Sequence, residues 1–222
     1  MNKRTFLKAL PLGLYSLFST KATAYPMSQL QINSPMPERI AFIVFNNITL
    51  LDLIGVYDPI TRLKSMNYLP DLHWDICAME DQIEDNFGLT LAVDKVKPDL
   101  NQYDTIIIPG GFGTRPLKED WDFIDWIKGA HEAQYKISVC TGALLLGAAG
   151  FLKDRRATTN ASAVELLRPF CKDIRTEKVV EDGNVITAGA VSSSLNLGLY
   201  LCEKWAGKEA RALIQEKMDF QC

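Results

Sequence analysis

The sequence predicts a three-layer α/β sandwich built on a mainly parallel sheet. Three observations lead there. From Arg39 onward, short β-rich runs alternate with longer stretches of helical spacing. The runs at residues 40–45 and 105–108 are continuously apolar, as strands covered on both faces are, rather than alternating as a half-solvated strand would be. The second of them stops at Pro109-Gly110-Gly111, a turn signal placed between a buried strand and the next helical stretch.

The elements follow in order. After the strand at 40–45, residues 50–66 have helical spacing. A second strand is expected at 75–79 and an extended excursion at 89–96. The strand at 105–108 precedes a helix over 121–132, where Trp and Ile recur about one turn apart. A short strand at 137–139 runs into a helix over 141–151, whose Gly and Ala residues permit close packing on a sheet. The remainder reads as a β segment at 157–159, a helix at 163–169, a hairpin of 176–180 and 185–188, and a final helix from Ser192. Asp182-Gly183 is the turn signal of that hairpin. In such a sheet the reactive residues are expected at the carboxyl ends of the strands.

The 222 residues suit one domain with a short leader. Hydrophobic residues make up 47% and charged residues 23%, which excludes wholesale disorder. The net charge of −3 and the absence of a basic stripe point away from nucleic acid. Residues 1–24 hold Lys3, Arg4, Lys8 and Lys21 and no acid, then an apolar stretch, then Ala22-Thr23-Ala24. This order reads as a signal peptide, Tat-like or Sec, cleaved before Tyr25, which implies a periplasmic or secreted protein with no stable membrane insertion once the signal is removed. Residues 25–38 then read as a tail and 39–222 as the domain.

Cys140 is the residue with the most chemistry in its surroundings. It stands where the strand ends and the helix beginning Thr141-Gly142-Ala143 starts. A thiol there meets free backbone N–H groups and the positive end of the helix, which should lower its pKa and make it a nucleophile. The loop Pro109-Gly110-Gly111-Phe112-Gly113 after the strand at 105–108 reads either as a tight turn or as a source of bare backbone N–H groups of the kind an oxyanion site needs. Asp52 is the lone charge in an apolar run, and its residues alone favour helix capping, since Thr49 three positions earlier completes a capping-box spacing. Facing a pocket instead, it would have a raised pKa and suit acid/base work. Cys77 and Cys202 read as core thiols, and Cys171 with Cys222 as the only disulfide candidates. His73, Asp75 and Cys77 share a strand face but form a poor metal set, and His131 sits near a helix C-terminus, so no metal is expected.

Strand–Pro-Gly-Gly, strand–Cys-Thr-Gly–helix and Arg-Ala-Thr-Thr in that order resemble the ThiJ/PfpI family of the class I glutamine-amidotransferase-like superfamily, and within it the isonitrile hydratase branch. The resemblance spans residues 39–218. It rests on Leu51-Asp52-Leu53-Ile54-Gly55, Ile108-Pro109-Gly110-Gly111, Ser138-Val139-Cys140-Thr141-Gly142-Ala143, Leu145-Leu146-Gly147-Ala148-Ala149-Gly150 and Arg155-Arg156-Ala157-Thr158-Thr159. It implies a flavodoxin-like sandwich with a nucleophile-elbow cysteine, a homodimer, a small-molecule substrate and no cofactor or metal. By the same resemblance Cys140 is the nucleophile, Asp52 the acid/base, and Thr141 and Gly111 the groups that position substrate and stabilise an oxyanion. The activity implied is hydration of an isonitrile, or a similar small electrophile, to an N-substituted formamide.

Two positions depart from the family pattern. Thr158-Thr159-Asn160-Ala161 stands where members usually carry Thr-Thr-His-Trp, and Ser194-Leu195-Asn196 where they usually carry Gly-Ile-Asp. Asn160 and Asn196 thus replace two titratable groups, which argues against a Cys-His protease. The alternative from another class is a non-catalytic sensor that uses Cys140 as an oxidisable thiol. Retention of Asp52 favours the enzyme.

Overall fold

The computed structural model describes residues 35–221. The predicted signal at 1–24 and most of the predicted tail lie outside the described residues. The last few residues of that tail are packed on the domain: Pro37 is buried, Tyr135 Oη donates to the Pro35 carbonyl at 3.0 Å, and Glu38 N donates to Asp104 Oδ2 at 2.8 Å.

The chain forms β1 (Arg39–Ile43), α1 (Leu50–Ser65), β2 (His73–Ala78), β3 (Gln82–Glu84), β4 (Thr90–Ala92), β5 (Lys95–Val96) and β6 (Thr105–Ile108). It continues through α2 (Thr114–Leu117), α3 (Trp121–Lys128), β7 (Tyr135–Val139), α4 (Ala143–Ala148) and β8 (Arg156–Ala157). The last elements are α5 (Val164–Leu167), β9 (Asp173–Ile174), β10 (Val179–Asp182), β11 (Val185–Ala188) and α6 (Ser193–Lys217). Seven strands make the central sheet in the order β10-β11-β7-β6-β1-β2-β5, parallel except for β10 against β11. The sandwich predicted from alternation is the observed architecture.

Strands β6 and β7 are buried along their whole length and β1 along all but Arg39, which is why their sequences read as unbroken apolar runs. The connection from β1 through α1 leads to β2 on one side, while β6 leads through α3 to β7 on the other. The winding therefore reverses between β1 and β6. At such a switch point the loops leaving neighbouring strands diverge and open a crevice at the carboxyl edge.

Helix α1 packs on α6 at unusually close range. A Cβ at Gly55 would lie 2.0 Å from Ser194 Oγ, and one at Gly198 would lie 2.7 Å from Pro59 Cγ. Cys202 completes this contact through its thiol on the Pro59 carbonyl at 3.3 Å. Cys77 and Cys202 are fully buried, as the sequence led one to expect of core thiols.

Local differences have local causes. The extended excursion at 89–96 divides into β4, which pairs with an unpredicted β3, and β5, which closes the sheet edge. The helix expected over 121–132 stops at Lys128, before Gly129. The hairpin turns on Gly183-Asn184, with Asp182 still paired in β10. Among the described residues no helix is long and apolar enough to cross a membrane.

Candidate active site

Three loops from the carboxyl edge converge on one point: β1–α1 brings Asp52, β6–α2 brings Gly110 and Gly111, and β7–α4 brings Cys140 and Thr141. Cys140 has φ 53°, a left-handed conformation that ordinary side chains avoid. Its carbonyl accepts the Thr159 hydroxyl at 2.8 Å, which helps to hold the strained turn. The strand therefore ends abruptly, and a single 3₁₀ turn, Cys140–Gly142, leads into α4.

Asp52 does not cap its helix. Thr49 makes no side-chain cap hydrogen bond and instead accepts from the Asn86 amide at 3.2 Å. The Asp52 carboxylate crosses to the neighbouring loop, where Oδ2 accepts the Gly110 N–H at 3.0 Å. Its other oxygen, Oδ1, is buried with no partner in hydrogen-bond geometry, while the Cys140 thiol lies close enough to bias its ionisation. Asp52 is fully buried, and desolvation pushes its pKa from 3.8 up to about 6 against the opposing pull of the Gly110 N–H and the Cys140 thiol.

The thiol departs from expectation. Burial, followed by the Asp52 charge, pushes the Cys140 pKa up to about 12, outweighing the Thr141 N–H and the Asn160 side chain, which favour the thiolate. A lowered pKa followed from the helix start alone. The structure adds a buried carboxylate that the position of Cys140 in the sequence could not reveal. Across neutral pH the pair holds one proton and one negative charge between them.

Thr141 and Gly111 are bonded to each other twice: the Gly111 N–H donates to Thr141 Oγ1 at 3.0 Å, and that hydroxyl donates to the Gly111 carbonyl at 3.1 Å. The Gly111 N–H is thus engaged, and the Thr141 N–H is the backbone donor directed at the sulfur. Asn160 sits beside the thiol. Its Oδ1 accepts from Ser162 N at 3.0 Å and Ser162 Oγ at 2.8 Å, an orientation that leaves the amide N–H₂ as the group available to sulfur.

These residues line a pocket of about 180 Å³ with Thr49, Phe112, Arg115, Ser162 and Val191. That is smaller than the roughly 300–1,000 Å³ of drug-sized sites, so it suits a small ligand. Arg115 and Ser162 were not singled out in the sequence, and no local signal marks them. His73 and His131 are exposed and remote from this pocket, with His131 beside Glu132 at 3.4 Å. Among the described residues no three His, Cys, Asp or Glu side chains gather as metal ligands. Cys171 is half-buried and Cys222 lies outside the described residues.

The profile of the DJ-1/PfpI family matches residues 38–204. The chain belongs to the DJ-1/PfpI family. It is 33% identical over 186 residues to isonitrile hydratase of Pseudomonas putida, covering 83% of this chain and 79% of that protein. Among solved DJ-1/PfpI structures it resembles a ThiJ/PfpI family protein from Pseudomonas syringae, with a TM-score of 0.77, 25% identity and coverage of 92% and 85%. Drosophila melanogaster DJ-1beta shares the fold at a TM-score of 0.72 and 16% identity, covering 84% of this chain and all of that one.

Proposed function

We propose that the protein is a cysteine-dependent hydratase that converts an isonitrile, or a similar small electrophile, to an N-substituted formamide. The observation that carries this reading is the buried Asp52 carboxylate with one oxygen held by Gly110 and the other unpartnered, beside a thiol in a strained turn. The similarity to an isonitrile hydratase supports the choice of electrophile.

In the first step the Asp52 carboxylate takes the proton from Cys140 Sγ as the sulfur attacks the terminal isonitrile carbon. The new carboxylic acid delivers that proton to the same carbon. The product is a thioimidate in which carbon is bonded to sulfur, hydrogen and the substrate nitrogen. Asp52, ionised again, removes a proton from water, whose oxygen adds to the thioimidate carbon, and passes that proton on to the nitrogen. The C–S bond then breaks, the hydroxyl proton returns by way of Asp52 to sulfur, and the formamide leaves. The Thr141 N–H favours negative charge on sulfur, and Gly111 fixes the Thr141 hydroxyl. Asn160 places a neutral donor beside the sulfur and cannot exchange a proton with it, so the whole proton load falls on Asp52.

Burial and the Asp52 charge disfavour a free thiolate at Cys140, whereas a peroxide sensor reacts as the thiolate, which favours the enzyme over the sensor. The test is conversion of cyclohexyl isonitrile to its formamide by purified protein, with loss of turnover in Cys140→Ala. A protein inert to every isonitrile offered would overturn the reading.

Two further parts belong to it. Leu51, Ile54, Phe87 and Leu89 are exposed on α1 and on the β3–β4 loop, which Asn86 ties to Thr49. A second copy covering this face would make the homodimer, and Ile54→Asp should then lower the mass measured by sedimentation. Export to the periplasm or medium rests on the residues at 1–24, and a mature N-terminus at Tyr25 would support it. Intact Met1 or Asn2 on the native protein would refute it.

A further inference from the structure

Two described arginines, Arg39 and Arg115, pair with no carboxylate; Arg39 is exposed at the start of β1 and lies over Tyr103, whereas Arg115 lies in the site. Arg62, Arg155, Arg156, Arg168, Arg175 and Arg211 each pair with a carboxylate of this chain. Among the described residues Arg115 pairs with none, although it is half-buried and belongs to an acidic protein. Its guanidinium instead lies over the Phe112 ring, 5.6 Å from the centroid, and both residues line the pocket that contains Cys140. A ring beneath a guanidinium fixes its plane and leaves the N–H fork open. The rest of the lining reinforces the sign. Thr49, whose oxygen accepts from Asn86, keeps its O–H to donate, and Asn160 presents its amide N–H₂, while no carboxylate lines the pocket. Asp52 is sealed beneath it, fully buried.

We propose that Arg115 recognises a carboxylate on the substrate, so that the electrophile attacked by Cys140 is a small molecule carrying an anionic arm. This rests on the hydratase reading and narrows its substrate class. A planar guanidinium matches a carboxylate through two parallel N–H···O bonds, giving orientation as well as attraction. In a pocket of about 180 Å³ there is room for a short arm between the reacting carbon and the acid. With the acid anchored on Arg115, the carbon is presented to the sulfur, which converts binding into positioning.

The test separates the arm from the chemistry. Cys140 is alkylated with iodoacetate and with iodoacetamide, equal in size and differing in charge, in the wild type, Arg115→Gln and Arg115→Lys, with the modified residue identified by mass spectrometry. The wild type should show an iodoacetate-to-iodoacetamide rate ratio roughly tenfold above that of Arg115→Gln, as a charge-assisted contact implies. Arg115→Lys should recover part of the preference, and added salt should erode it. A ratio unchanged by Arg115→Gln overturns the proposal. Isocyanoacetate and its methyl ester then test the substrate class. Turnover of both with no preference for the acid overturns the proposal and leaves the hydratase reading standing. Turnover of cyclohexyl isonitrile but of neither of these overturns the proposal, while inertness to all three defeats the hydratase reading, and the alkylation ratio still decides whether Arg115 selects an anion.

Discussion

Gly110 donates its N–H to Asp52 Oδ2 at 3.0 Å, across 58 residues of sequence, and so fixes the acid from the next loop along the sheet edge. The same glycine has no room for a side chain. A Cβ there would lie 2.6 Å from Thr141 N, 2.7 Å from Asp52 Oδ2 and 2.8 Å from Thr141 Oγ1.

Gly110→Ala should therefore separate the three groups while leaving the distant core alone. We expect at least a hundredfold loss of turnover, since small displacements of positioned groups carry penalties of that order. Circular dichroism and turnover measured together check this, and an Ala variant with wild-type turnover would show that the contact is not part of the site.

Asp52→Asn should make the protein more stable as well as far less active. The Asp52 pKa is raised in the fold from 3.8 to about 6, so folding binds the proton more tightly than the unfolded chain does. The resulting stability is complete below about pH 4 and is lost as pH rises through about 6. Asn carries no such penalty. At pH 7.5 the variant should gain on the order of 2–3 kcal/mol, roughly 5–10 °C in Tm at this size, and the gain should vanish near pH 4. Thermal melts across that range check both the sign and the window.

The same variant should expose the thiol. Asp52 raises the Cys140 pKa through its charge and its contact with the sulfur, so removing the charge lowers that pKa. Iodoacetamide should then label Cys140 faster at pH 7 in Asp52→Asn than in the wild type, even though turnover falls. Equal labelling rates would mean that the two groups do not share a proton.

Gly55→Ala tests the helix contact behind the site. The added Cβ would fall 2.0 Å from Ser194 Oγ, and α1 also carries Asp52. The overpacking should cost about 1–3 kcal/mol, read as a lower Tm. Combining it with Ser194→Gly should recover most of the loss.

What was legible in the sequence follows from the range of each interaction. The buried strands announced themselves because continuous apolar runs need no knowledge of their neighbours, and the Cys140 turn was marked by its strand-to-helix junction. Asp52 was misread from its own segment. Thr49 at capping-box spacing is a local pattern, whereas the contact with Gly110 depends on which loops meet at the switch point between β1 and β6. The direction of the Cys140 pKa failed for the same reason: the helix start is local, and the carboxylate that opposes it arrives from another strand. The resemblance carried by Leu51-Asp52-Leu53-Ile54-Gly55 and by Cys140-Thr141-Gly142 pointed to the meeting of Asp52 with Cys140, and not to how the two ionise. Arg115 was invisible because an arginine is noticed only when the carboxylates around it have been counted.

The account depends on one proton moving between Asp52 and Cys140, and kcat/KM for an isonitrile measured against pH in the wild type and Asp52→Asn tests it most directly. The wild type should rise through a single ionisation near pH 6, as the pair loses the first of its two protons, and level off above it. Asp52→Asn should fall by roughly 10²–10⁴-fold at pH 7.5 and lose that ionisation. Wild-type rates in Asp52→Asn, with the same rise near pH 6, would contradict the account.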